Sequence, residues 1–285
     1  MQREYLQLDV FSSAPGRGNP LGVVLDAAGL DGESMQALAA WLNLSETTFV
    51  LPPTQSGADY RVRIFTPRQE LPFAGHPSVG TAHAVLERGL AVPRDGVLVQ
   101  ECGAGLLPVR AETHPAGRRL HVRAPRAIER SADPRAAVAS LRTSQLGALR
   151  PALIDNGPRW WCVELMDEAA VRTLQPGLDA MAQATRESGA VGVAVYARCH
   201  QQPYALVVRA FVPADGIAED PVTGSANAAI AAWLHANDRL PAASYLASQG
   251  REVGRDGIVH CAVDSDGEAW IGGETQTVIE GRLDW

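Results

Sequence analysis

The sequence lacks most of the features that announce a reaction on their own. It has four cysteines, Cys102, Cys162, Cys199 and Cys261, far apart and without a Cys-x-x-Cys. That spacing fits neither a disulfide framework nor a zinc site, and each thiol reads as a small buried hydrophobe. A reducing, cytoplasmic setting is the expectation. No apolar run approaches the roughly 20 residues that span a bilayer. Residues Met1 to Tyr5 lead directly into an alternating strand pattern, so no secretory leader is expected. Positive charge is also in deficit: 25 Lys and Arg stand against 32 Asp and Glu, a net charge of −7. This disfavours nucleic acid or an anionic membrane as a partner. The arginines that do cluster, Arg118, Arg119, Arg123, Arg126 and Arg130, read as a solvated face. No G-x-G-x-x-G follows a strand, and there is no P-loop, H-E-x-x-H or G-x-S-x-G. The seven histidines have no metal-ligand spacing, so neither metal nor cofactor is expected.

What the chain does have is a repeat. Its 285 residues suit two domains of roughly 100–150 residues each. At an offset of 146, Met35 meets Met181, and Val62-Arg63-Ile64-Phe65-Thr66-Pro67 meets Val208-Arg209-Ala210-Phe211-Val212-Pro213. At an offset of 144, His76-Pro77-Ser78-Val79-Gly80-Thr81-Ala82 lies against Asp220-Pro221-Val222-Thr223-Gly224-Ser225-Ala226. Residues 33–42 carry Met35, Leu38, Ala39 and Leu42 at helical spacing, and 47–51 and 60–66 read as strands. Helices are expected after Gly80 and after Gly224, each opening at a glycine turn. Gly103-Ala104-Gly105 reads as a bend between strands. The expected architecture is α+β, with two similar domains, 1–122 and 123–285, packed face to face. The boundary falls near 115–130, where Pro115, Gly117 and Pro125 cluster. The last strands, 270–285, could belong to either half.

Two helix starts at equivalent places present unpaired N–H groups and positive dipole ends, which suits an anionic substrate. His76 and Asp220 occupy corresponding positions at the 144 offset and are candidates to polarise the substrate. Glu46, between the first helix and its strand, is a candidate base. Its counterpart at offset 146 is Gly192, not a carboxylate. A single base of this kind suits removal of a proton and its return to another carbon on the same face, rather than racemisation by two groups.

These residues lie in motifs that resemble the phenazine-biosynthesis PhzF-like family. The motifs are Asp9-Val10-Phe11 with Gly18-Asn19-Pro20, Asn43 to Phe49, Glu70 to Pro77, Glu219 to Ala226, and Gln249 to Arg255. The resemblance runs in order from residue 7 to about residue 281. It implies the diaminopimelate-epimerase-like fold, in which two pseudo-symmetric domains each wrap a mostly antiparallel sheet around a central helix. It implies an isomerase similar to those acting on trans-2,3-dihydro-3-hydroxyanthranilate, and typically a homodimer. It implies Glu46 as proton shuttle, with His76 and Asp220 holding polar substituents. Asn19, Gly75, Gly224 and Ser225 are implied as binding residues for a small carboxylate-bearing substrate. The alternatives are an epimerase or racemase of an amino-acid-like substrate, or a non-catalytic binding protein. The two-thiol chemistry of related epimerases is disfavoured, because no cysteine lies between 70 and 82 or between 215 and 228.

Overall fold

The computed structural model describes residues 2–114 and 117–285, so Pro115, part of the expected boundary, lies outside the described residues. By contacts the chain divides into two compact units. One runs up to Arg123 and includes Gly272–Trp285; the other is Ala124–Ile271.

In the first unit the strand Gln2–Val10 runs antiparallel to Asn19–Val24 on one side and to the C-terminal strand Thr275–Asp284 on the other. Asn19–Val24 is parallel to Glu46–Leu51, and Tyr60–Phe65 is parallel to Val97–Cys102. The remaining pairs are antiparallel: Glu46–Leu51 with Tyr60–Phe65, Tyr60–Phe65 with Glu70–Leu71, and Val97–Cys102 through Gly105–His114 to Gly117–Arg123. The turn before Gly105 falls where the bend was expected.

Each parallel pair needs a crossover, and a helix supplies it. Helix α1, Gly32–Leu42, starts at an Asp31 cap whose carboxylate accepts from the Ser34 N–H at 2.8 Å. It ends at Asn43, which adopts a left-handed conformation. Met35, Leu38 and Ala39 of α1 pack on Phe49 and Phe65. Helix α2, Gly75–Glu87, is almost wholly buried among the strands of the unit. Neighbouring strand residues serve the two helices in alternation. Phe49 faces α1, while the Thr48 hydroxyl accepts from Thr81 of α2 at 2.8 Å.

The second unit repeats this plan. Arg159–Glu164 is parallel to Gly192–Arg198, and Leu206–Val212 is parallel to Ser244–Gln249. Antiparallel strands Ile128–Arg130, Ala152–Asp155, Ile217–Asp220 and Gly257–Val263 complete these pairings. The short helices α3, Arg135–Ser140, and α4, Glu168–Arg172, accompany α5, Leu178–Ser188. Met181 of α5 sits in a core with Trp161, Val193 and Phe211. The buried central helix is α6, Gly224–Ala236.

The structure departs from the sequence-based expectation at three points. Helix α2 begins at Gly75, not after Gly80. Pro77 is tolerated in its first turn, where an N–H has no intrahelical partner to lose. Gly80 lies inside the helix, where a Cβ would stand 2.5 Å from Leu21 Cδ2 and 2.8 Å from Val10 Cγ2. Close packing, not a turn, requires that glycine.

The second correction concerns register. Helices α1 and α5 start at 32 and 178, but α2 and α6 start at 75 and 224, so the offset grows from 146 to 149. The extra three residues lie between the Phe of the Arg-x-Phe strand and the Glu that its Arg grips, 66–69 in one unit and 212–218 in the other. The counterpart of His76 is therefore Ser225, the second residue of α6, and not Asp220. Third, of the arginines read as a solvated face, Arg126 and Arg130 are exposed, whereas Arg118, Arg119 and Arg123 are half-buried.

Candidate active site

In the first unit, Glu46 and His76 meet at the start of α2, whose first residue is Gly75, and Asn19 opens the strand next to that of Glu46. Asp9 Oδ2 accepts from the N–H groups of Arg17 at 2.8 Å and Gly18 at 2.9 Å, pinning the loop that delivers Asn19 and Pro20. Only glycine fits at 18, since a Cβ would lie 2.1 Å from the Val10 carbonyl oxygen. Asn19, fully buried, opens its strand opposite Val10. Glu46 opens the next strand in parallel register with Leu21. His76 is the second residue of α2, after Gly75.

The His76 Nδ1 atom lies 3.5 Å from Glu46 Oε2, with the His side chain 4% and the Glu side chain 16% exposed. Burial pushes the imidazole down to about 3, against a smaller opposing effect of its hydrogen bond to the Pro20 backbone. At neutral pH the ring is therefore uncharged, and its contact with Glu46 is not an ion pair. Pro20 has no N–H, so its carbonyl accepts from the ring. Among the described residues Nε2 has no hydrogen-bond partner. The Pro20 bond therefore falls to Nδ1–H and leaves a lone pair on Nε2.

The second unit builds a different helix start. Trp160 Nε1 donates to Ser225 Oγ at 3.1 Å, and Asn156 Nδ2 donates to the Ser225 carbonyl at 2.9 Å. Asp220 ends the strand Ile217–Asp220 and accepts at Oδ2 from the Thr223 hydroxyl. The N-cap side chains of the two helices, Ala74 and Thr223, make no cap hydrogen bond. Each helix thus keeps the N–H donors and positive dipole end that suit a carboxylate or a developing oxyanion. Gly192, the counterpart of Glu46, opens its strand beside Trp160. A Cβ there would lie 2.3 Å from the Phe211 carbonyl oxygen and 2.6 Å from the Trp160 ring.

Trp160, Asn156, Thr223 and Gln249 had no assigned role in the sequence reading. One signal was available: Glu70-x-Pro72-x-x-Gly75 repeats as Glu219-x-Pro221-x-x-Gly224 at the offset of 149, and it sets the correct register. All four cysteines are free and lie outside both helix starts. Burial pushes the Cys199 and Cys261 thiols up to about 12. Among the described residues, no group of three or more His, Cys, Asp or Glu is placed to hold a metal ion. No helix of the described chain is long and apolar enough to cross a membrane.

A family model described as "Phenazine biosynthesis-like protein" matches residues 8–281. The trans-2,3-dihydro-3-hydroxyanthranilate isomerase of Pseudomonas aeruginosa is 35% identical over 98% of this chain and 98% of its own length. An uncharacterized isomerase of Mesorhizobium japonicum is also 35% identical, over 99% of this chain and 98% of its own. The crystal structure of a PhzF-family phenazine biosynthesis protein from Bacillus anthracis superposes over 100% of both chains, with a TM-score of 0.85 and 26% identity. With matches of that extent to proteins of this fold, the chain belongs to the PhzC-PhzF family, and its enzyme class is isomerase.

Proposed function

We propose that the chain isomerises a small carboxylate-bearing substrate through one acid/base, Glu46, with trans-2,3-dihydro-3-hydroxyanthranilate or a close analogue as the substrate class. The supporting observation is the pairing of Glu46 with a neutral His76 at an uncapped helix start, where the pseudo-equivalent strand position holds Gly192. Glu46 removes a proton from one carbon and returns it to another. The carboxylate accepts the proton, the electron pair shifts through the unsaturated system, and the same carboxyl group then donates it. Neutral His76 supplies no proton of its own. Its Nε2 lone pair accepts from an amino or hydroxyl substituent of the substrate and holds it in register with Glu46.

In the first unit, the Gly75 N–H and Asn19 are assigned to substrate binding beside Glu46; in the second, the Gly224 N–H and the Ser225 hydroxyl are assigned to an anionic group. Asp220 is assigned to a second polar substituent. Kinship with the Pseudomonas isomerase supports these assignments. An epimerase acting through two opposed groups fits less well, because the repeat offers no carboxylate to match Glu46.

The test is turnover of trans-2,3-dihydro-3-hydroxyanthranilate in D₂O, followed by proton NMR. The expected result is a shifted double bond with solvent deuterium at the new C–H. Glu46→Gln should cut the rate by roughly 10²–10⁴-fold while leaving the circular dichroism unchanged. A Glu46→Gln variant with wild-type turnover would remove the assignment. Deuterium uptake without a double-bond shift would favour epimerisation.

A further inference from the structure

Gln249 lies in one of the recognised family motifs, yet the proposed reaction gives it no task. It ends the strand Ser244–Gln249 beside Val208 and is completely buried. Its amide makes four hydrogen bonds. Nε2 donates to the Asp220 carbonyl at 3.1 Å and to Thr223 Oγ1 at 2.9 Å. Oε1 accepts from the Thr223 N–H at 3.1 Å and from Asn227 Nδ2 at 2.9 Å. Both N–H donors and both lone pairs are therefore used.

The amide has one workable orientation. Turned over, it would set its NH₂ against two donors, the Thr223 N–H and Asn227 Nδ2, and its oxygen against the Asp220 carbonyl. That orientation fixes a second group. The Thr223 hydroxyl has a single proton, and Gln249 occupies it as an acceptor, so the proton points to Asp220 Oδ2. Asn227 closes the array by donating to the Thr223 carbonyl at 2.9 Å. The strand end is pressed against the same turn: Gly250 has φ +98°, and a Cβ there would lie 2.5 Å from the Pro221 carbonyl oxygen.

We propose that Gln249 is a positioning residue, whose amide aims the Thr223 hydroxyl at Asp220 and so holds that carboxylate in one orientation at the start of α6. The inference rests on the proposed function only in giving Asp220 a part in the reaction. Gln249→Glu keeps the size of the side chain but replaces the NH₂ donor by an acceptor. The Thr223 proton then turns toward the new carboxylate, and Asp220 loses that donor.

Two readouts decide the matter. In a crystal structure of Gln249→Glu, the contact between Thr223 Oγ1 and Asp220 Oδ2 is expected to be broken; its retention would overturn the proposal. With trans-2,3-dihydro-3-hydroxyanthranilate, kcat should fall roughly tenfold or more in Gln249→Glu and in Thr223→Val, with KM changed less, because misplacing a polarising group acts on the transition state. Thr223→Ser, which restores a hydroxyl, should return kcat to near the wild-type value. A network that only braces the helix would instead leave kcat unchanged in folded Thr223→Val. If Gln249→Glu does not fold, Thr223→Val carries the test, and an unmoved Asp220 side chain there counts against the proposal. Should the wild-type enzyme not turn over this compound, the substrate reading fails, and the Asp220 geometry alone decides the role of Gln249.

Discussion

The starts of α2 and α6 share a backbone plan and differ in chemistry. Both helices follow a Glu-x-Pro-x-x-Gly segment, both open on glycine, and both span 13 residues. In one, the second residue is His76 beside Glu46; in the other it is Ser225 beneath a tryptophan indole. The scaffold repeats because the backbone needs it: two crossovers, a buried helix and a close-packed start. The side chains that carry reactivity are free to diverge. The strand preceding each start keeps its bracing too. Arg63 forks onto Glu70, with both hydrogen bonds 2.7 Å, and its guanidinium lies 5.1 Å from the Phe65 ring centre. Arg209 forks onto Glu219 at 3.0 and 2.7 Å and lies 4.9 Å from the Phe211 ring centre.

The sharpest way to break the comparison is to install the missing base. Even Gly192→Ala puts a Cβ against the Phe211 carbonyl, which is backbone and cannot swing aside. Overpacking of this kind costs about 3 kcal/mol, and Gly192→Glu should fail to fold. Glu46→Ala should cost little stability, since Glu46 is already partly exposed. Urea unfolding of Gly192→Ala and Glu46→Ala measures the contrast. A stable Gly192→Glu would show that the second unit could have carried a base and that sterics did not exclude it.

The two Arg–Glu forks sharpen the comparison at a lower magnitude. Arg209 and Glu219 are 6% and 7% exposed, and Arg209 also donates to the carbonyls of Val171 and Leu174 at 3.1 and 2.8 Å. Arg209→Met strands a buried carboxylate and two carbonyls, for an expected loss of about 3–5 kcal/mol. Arg63 and Glu70 are 25% and 43% exposed, so Arg63→Met should cost no more than about 1 kcal/mol. Equal losses in the two variants would mean that burial does not distinguish the forks.

The first crossover of each unit was legible in the sequence, and the second was not. Apolar spacing in α1 and the Val-Arg-x-Phe strand gave an offset of 146 that the structure keeps from Met35/Met181 to Phe65/Phe211. It also placed Glu46 against Gly192 correctly. In sequence, Gly75-His76-Pro77-Ser78-Val79-Gly80 looks like a turn, but it is the first part of α2. A helix buried on all sides needs small residues for close approach, and those residues mimic turn chemistry. Matching Gly80 to Gly224 then shifted the register by five and paired His76 with Asp220 rather than Ser225. Nothing local to Trp160 or Gln249 indicates which groups they bond. Their hydrogen bonds depend on parallel pairings that bring residues 65 and 26 positions apart into contact. The C-terminal strand was ambiguous for the same reason: its partner, Gln2–Val10, is at the far end of the chain.

His76 and Ser225 also differ in their response to acid. The His76 ring is pushed from 6.5 down to about 3 by burial, so as pH falls the unfolded chain takes up its proton first. Its neutral form costs nothing above about pH 6.5. Below that, the site should lower stability by up to about 1.4 kcal/mol per pH unit, until the folded ring itself protonates. His76→Gln should flatten the slope of unfolding free energy between about pH 4.5 and 6.5, whereas Ser225→Ala should leave it unchanged. Identical slopes in wild type and His76→Gln would mean that the ring is better solvated than its surroundings imply.

The smallest effect probes the indole itself. In the register of the parallel pairs, Trp160 stands beside Gly192 as Leu21 stands beside Glu46. The second unit therefore has a large ring with a donor where the first has an aliphatic side chain and a carboxylate. Trp160→Phe keeps much of the ring but removes the N–H that holds Ser225 Oγ at 3.1 Å. The lost hydrogen bond should cost about 1 kcal/mol, with a further packing loss because Trp160 is buried. Asn156 still holds the Ser225 carbonyl, so the helix start itself should stay in place. If Ser225 binds the substrate carboxylate, freeing its hydroxyl should raise KM and leave kcat nearly unchanged, since such a contact acts on ground state and transition state alike. A fall in kcat with KM unchanged would instead place Ser225 at the reacting carbons, and the division of labour between the two helix starts would have to be redrawn.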